Sequence, residues 1–123
     1  MANSLAVQTS IFAQLDKFNL GGNSSVNIAL TGNNGIGASQ EATTGAWTQL
    51  NTSLLSDLRA AWFYNDTVLT GVITIASGSN GEHVLTVLNP GESSLIAWSG
   101  SIGSLYVKAT GVDSLVQYVL VES

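Results

Sequence analysis

The sequence predicts an all-β protein, an antiparallel β-sandwich or jelly-roll-like barrel with an N-terminal arm and at most one short helix. Three observations predict it. Short runs rich in β-branched and aromatic residues recur through the second half of the chain. Tight-turn sequences separate them at regular intervals, and no long stretch carries apolar residues at helical spacing. A chain of 123 residues is the size of one domain. The expected organisation is an arm or first strand over residues 1–20 and a single sandwich over residues 21–123.

Residues 3 to 20 alternate through Leu5, Val7, Thr9, Ile11, Ala13 and Leu15, which suits a strand, although Ile11, Leu15 and Phe18 also fit a short helical stripe. Ser25 to Leu30 alternates cleanly, and Thr31 to Gly37 is dense in residues that tolerate positive φ. A strand followed by a loop is expected there. Gly35 to Thr44 carries almost no large apolar side chain, so it is expected to be an exposed, mobile loop until Trp47. Leu54, Leu55 and Leu58 stand at helical spacing behind Asn51, Thr52 and Ser53, any of which can cap a turn of helix.

From Arg59 onward strands are expected at Arg59 to Tyr64, Val68 to Ala76, His83 to Leu88, Leu95 to Trp98, Ser104 to Ala109 and Leu115 to Val121. Ser77-Gly-Ser-Asn-Gly81 joins two of them as a hairpin loop. Asn89-Pro-Gly91 joins the next pair: Pro90 presets φ at the second position of a turn and Gly91 supplies positive φ at the third, the requirement of a type II turn.

Composition narrows the function. Charged residues are 9% of the chain and apolar residues 45%, against roughly 25% charged in ordinary domains. Ser, Thr, Asn, Gln and Gly must therefore solvate the surface, as on proteins whose subunits pack together. Lys17, Arg59 and Lys108 are the three cations, and the net charge is −5. Nucleic-acid binding needs several cations on one face, so no nucleic-acid partner is expected. With no cysteine, disulfides and thiolate metal sites are ruled out. The first residues lack a signal-peptide pattern and no run reaches the roughly 18 apolar residues of a membrane span, so synthesis in the cytoplasm and no membrane partner are expected. The sequons at Asn23, Asn51 and Asn65 read as chance products of an Asn- and Ser-rich chain.

The inventory of chemical groups points away from an enzyme, a cofactor or a metal. His83 is the one imidazole and stands beside Glu82; a single His with scattered carboxylates does not make a zinc site. Many serines are present without a G-x-S-x-G elbow. Asp57, Asp66, Glu82, Glu92 and Asp113 lie in or beside expected turns and read as solvated turn acids, with Asp66 and Asp113 the two worth inspecting for calcium. The glycine-rich stretches at 31–37 and 77–81 contain no G-K-[ST] and read as loops, not phosphate cradles.

Aromatic residues carry more. In Ala61-Trp-Phe-Tyr64 consecutive side chains of a strand point to opposite faces, so at least one large ring must face away from the core. Such a ring is a subunit contact, a ring covered by the chain's own N-terminal segment, a sugar-stacking platform or ordinary core. The candidate interface residues are Trp47, Trp62, Tyr64, Trp98 and Phe12.

The C-terminal third resembles a family. Asn89-Pro-Gly-Glu-Ser-Ser-Leu-Ile-Ala-Trp98, Gly103-Ser-Leu-Tyr-Val-Lys-Ala109 and the closing Val116-Gln-Tyr-Val-Leu-Val-Glu122 look like the ending of many small tailed-phage virion structural proteins. In these a P-G-E turn leads to an apolar strand, a strand of the L-x-V-K-A type and a last strand ending in V-E. Leu58 to Ala76 resembles the preceding strand pair more weakly, and the first 50 residues match nothing in the group. The resemblance implies a non-enzymatic virion protein, most specifically a capsid decoration or cement protein, made in the host cytoplasm. It also implies a homo-oligomer, with a trimer the natural form at threefold shell positions, and the major capsid protein or another virion subunit as partner. An attachment or carbohydrate-binding module of a tail or fibre is the alternative.

Overall fold

The computed structural model describes residues 3–14, 16–17, 19–30, 35–51, 55, 58–66, 69–97 and 104–122. It is all-β, with no helix among those residues. Contacts divide the chain into two units, Met1–Asn33 and Asn34–Ser123.

The first unit is a two-stranded antiparallel ribbon of β1 (Asn3–Gln14) and β2 (Asn19–Leu30). The strands are in register along their whole length, from Asn3 opposite Leu30 to Gln14 opposite Asn19. β2 thus begins well before the alternating run at Ser25, because backbone pairing to β1 carries it through Gly21, Gly22 and Asn23. Leu15 and Phe18, two members of the alternative helical stripe, lie outside the described residues.

The second unit holds two four-stranded antiparallel sheets. One has the order β3-β10-β5-β8, from β3 (Gly35–Ala42), β10 (Ser114–Glu122), β5 (Leu58–Asn65) and β8 (Ser93–Ala97). The other has the order β4-β9-β6-β7, from β4 (Thr48–Gln49), β9 (Leu105–Thr110), β6 (Val72–Ser77) and β7 (His83–Leu88). Successive strands change sheets at every connection but one: β6 and β7 form a hairpin within a sheet across Ser77–Glu82.

The expected Asn89-Pro-Gly-Glu92 turn forms, with the Glu92 amide donating to the Asn89 carbonyl at 3.0 Å and Gly91 at φ 85°. Positive φ at the third position is why glycine stands there. Its role differs from that of a hairpin, since it carries the chain from β7 in one sheet to β8 in the other.

Of the two architectures expected, the antiparallel sandwich is the one that forms: among the described residues no ladder joins the two sheets, which face each other as an open sandwich. Two expectations need correction. The mobile loop expected over Gly35 to Thr44 is instead the edge strand β3, paired with β10 from Gly35 opposite Val121 to Ala42 opposite Ser114. An edge strand is held by backbone hydrogen bonds on one side and needs few large side chains, so the missing apolar signal was no evidence of a loop. β6 begins at Val72, later than the expected strand start at Val68, which lies outside the described residues. The helical turn expected between Leu50 and Leu58 lies mostly outside them as well.

Between the sheets lies one core. Ala61 and Phe63 of β5, Val116, Tyr118 and Leu120 of β10, Ile73 and Ile75 of β6, Leu105 and Val107 of β9 and Leu88 of β7 are buried there together. Each fully buried Val, Leu, Ile or Phe side chain contributes roughly 1.5–3 kcal/mol. Period-two alternation decides which residues these are, as in the buried-intermediate pattern of Leu105–Thr110 and Ser114–Glu122.

Asn65, at the end of β5, fastens several elements. Its Nδ2 donates to the carbonyls of Gly71 at 2.8 Å and Leu88 at 2.9 Å inside the fold. Its own amide donates to the Glu92 carbonyl and its carbonyl accepts from Gly91. The side chain is fully enclosed, so the Asn65 sequon is structural.

Candidate interaction surface

Antiparallel residues directly opposite one another share a sheet face, so the register builds the outer face of the β3-β10-β5-β8 sheet rung by rung. One rung is Gly37, Val119, Trp62 and Leu95; the next is Ser39, Gln117, Tyr64 and Ser93; on the other side lies Gly35, Val121, Ala60 and Ala97. None of these twelve residues is charged.

Trp62 and Tyr64 stand two apart on β5, and alternation turns both outward while Phe63 between them is fully buried. Their rings lie nearly parallel, 8° apart with centroids separated by 6.1 Å. Val119 on one side and Leu95 on the other are 42% and 37% exposed, so the aromatic pair sits in an apolar strip open to solvent. Gly35 and Gly37 carry no side chain, which leaves the β3 margin of the strip low. A hydrogen bond from Gln117 Nε2 to Asp66 Oδ2 at 3.0 Å closes one end.

The other sequence-derived candidates fall on other elements or outside the described residues. Trp47 precedes β4 in the opposite sheet, where its indole packs against the backbone of Gly81 and Lys108 Nζ lies 5.9 Å from the ring centroid. Phe12 is on β1 of the ribbon and is 70% exposed. Trp98 lies outside the described residues. The structure therefore brings Trp62 and Tyr64 together, and adds Leu95 and Val119, which sequence reasoning did not single out. Their outward direction was implicit in the alternation of Leu95-Ile96 and Val119-Leu120, but nothing local set β8 and β10 on either side of β5.

Among the described residues the carboxylates do not converge. Asp66 accepts from Gln117, Asp113 Oδ1 from the Thr44 amide at 2.9 Å, Glu82 from the Asn80 amide at 3.1 Å and Glu92 Oε1 from the Asn89 amide at 2.7 Å. Among the described residues no three metal-ligating side chains group together. No helix among them is long and apolar enough to cross a membrane. Burial pushes the Tyr118 phenol above its ordinary value, opposed by a backbone hydrogen bond at Asn51.

Comparison with known proteins returns no family model, curated protein or solved structure that matches the chain.

Proposed function

We propose that this protein is a non-enzymatic structural component of a phage virion, a capsid decoration or cement protein that stabilises the head shell through contacts with its own copies and with the shell protein. The observation that carries the reading is the uncharged outer strip of Trp62, Tyr64, Leu95 and Val119 on one sheet face. Half-buried aromatics flanked by the exposed Leu95 and Val119 in a charge-free patch have the composition of an interface core. The low charge content of the whole chain and the phage-like turn and strand sequences of its last third support the same reading. Contact with a neighbour through such a strip needs complementary shape and no bond-making chemistry. A trimer suits a threefold position on a shell.

The test is co-sedimentation with assembled head shells. The wild-type protein is expected to pellet with shells, and Trp62→Ala with Tyr64→Ala to weaken binding at least tenfold while the variant stays folded. Absence of wild-type binding to shells would overturn the reading.

The near-parallel Trp62 and Tyr64 rings favour a second reading, a carbohydrate-binding or attachment module of a phage tail or fibre, since adjacent rings on an outer sheet face can stack on a sugar. Glycan-array binding that is lost in Trp62→Ala would select it over the first.

A further inference from the structure

Charge is divided unevenly between the two units. Residues 1–33 hold Asp16 and Lys17, which cancel; residues 34–123 hold two cations against seven carboxylates, and so the whole net charge of −5. Neither β1 nor β2 contains a charged residue. Two copies approaching through their sandwiches meet like charge, whereas two approaching through their ribbons do not.

The ribbon also has the features of an element made to be covered. Two strands alone are marginal in water and need a further packed layer. Its β1 faces differ: Leu5, Val7 and Ala13 are half-buried about an exposed Thr9, while Ser4, Ala6, Gln8, Ser10 and Phe12 on the opposite face are all exposed. The register sets Leu5 opposite Ile28 and Val7 opposite Val26. At about 3.4 Å per residue the twelve-residue strands give a face roughly 40 Å long. Each strand leaves one edge open, and neither edge carries the Lys, Glu or Pro that keeps solvent-exposed edges from pairing.

We infer that the β1–β2 ribbon is the self-association element of this protein, and that its Leu5–Val7–Ala13 face packs against the ribbon of a second copy. This deepens the proposed function, resting on its expectation of a homo-oligomer, and leaves the Trp62–Tyr64 strip free for a different partner.

Light scattering on a sizing column tests it with the full-length chain. The wild type is expected to run as a dimer or larger closed oligomer. Val7→Glu is expected to shift it to monomer with the thermal transition of the sandwich retained, and Val87→Glu, the same charge placed on an exposed sandwich position, to leave the mass unchanged. Salt gives a readout that needs no variant: screening from about 30 Å to about 3 Å between 0.01 and 1 M relieves repulsion between sandwiches and is expected to tighten the oligomer several-fold. A wild-type mass retained by Val7→Glu, or dissociation of the oligomer by salt, overturns the ribbon contact and leaves the shell-binding reading standing. A wild-type monomer at all concentrations also overturns it, and shell co-sedimentation then decides the virion reading separately.

Discussion

Gly81 lies directly against the indole of Trp47: a Cβ on Gly81 would collide with Trp47 Cζ2, and Gly81 has φ 72°. Both features demand glycine, one for backbone conformation and one for space. Gly81→Ala is therefore expected to cost about 1–2 kcal/mol for the left-handed backbone and to displace the ring. Thermal unfolding and tryptophan emission read the two effects separately. Gly111→Ala is the comparison, because φ there is 95° and nothing lies within 4 Å; it should lower stability without shifting the emission. Equal emission spectra for the two variants would contradict the Trp47–Gly81 packing.

Asn65→Ala removes the donor that serves two buried carbonyls, those of Gly71 and Leu88. Leaving a buried acceptor without a partner costs about 1–3 kcal/mol, so a loss of roughly 3 kcal/mol is expected from urea unfolding. A loss below about 1 kcal/mol would mean that the carbonyls find other donors.

Tyr118 gives a pH dependence of known sign. Its folded pKa is raised by burial, against a backbone hydrogen bond at Asn51, so the unfolded chain loses the phenol proton first. Above the ordinary tyrosine value of about 10 the unfolded state binds fewer protons than the folded one, and stability falls as pH rises toward the folded pKa. Tyr118→Phe is expected to flatten this alkaline loss while lowering stability near neutrality by about 1 kcal/mol for the lost hydrogen bond. An unchanged slope above pH 10 in Tyr118→Phe would refute the assignment.

Adjacent positions on β5 should separate stability from binding. Phe63→Ala opens a cavity in the core and is expected to cost about 3–5 kcal/mol. Trp62→Ala, on the half-buried outer face, is expected to cost far less and to act on partner binding. Chemical denaturation and shell sedimentation on both variants check the contrast; comparable stability losses would place Trp62 in the structural core.

Much of the fold was legible in the sequence. His83–Leu88 is a strand with the bounds its residues suggested, the turn at Pro90 and Gly91 has the expected form, and the alternation in Ala61-Trp-Phe-Tyr64 places Phe63 inside. β3 was not legible, because Gly35–Ala42 owes its strand to the backbone of β10, about 80 residues away, and to no pattern of its own. The candidate surface was legible in part. Trp62 and Tyr64 were recognisable as residues that cannot all turn inward, while Leu95 and Val119 became their neighbours through strand order.

By itself, then, the amino-acid sequence determined the elements whose causes are local: period-two alternation, and glycine and proline at turns. Tertiary structure alone decided which strands are neighbours, that the sheets remain an open sandwich and that three uncharged rungs meet on one face. Strand pairing is made by backbone groups common to every residue, so its partners are chosen by the packing of the whole core and not by any segment's own side chains.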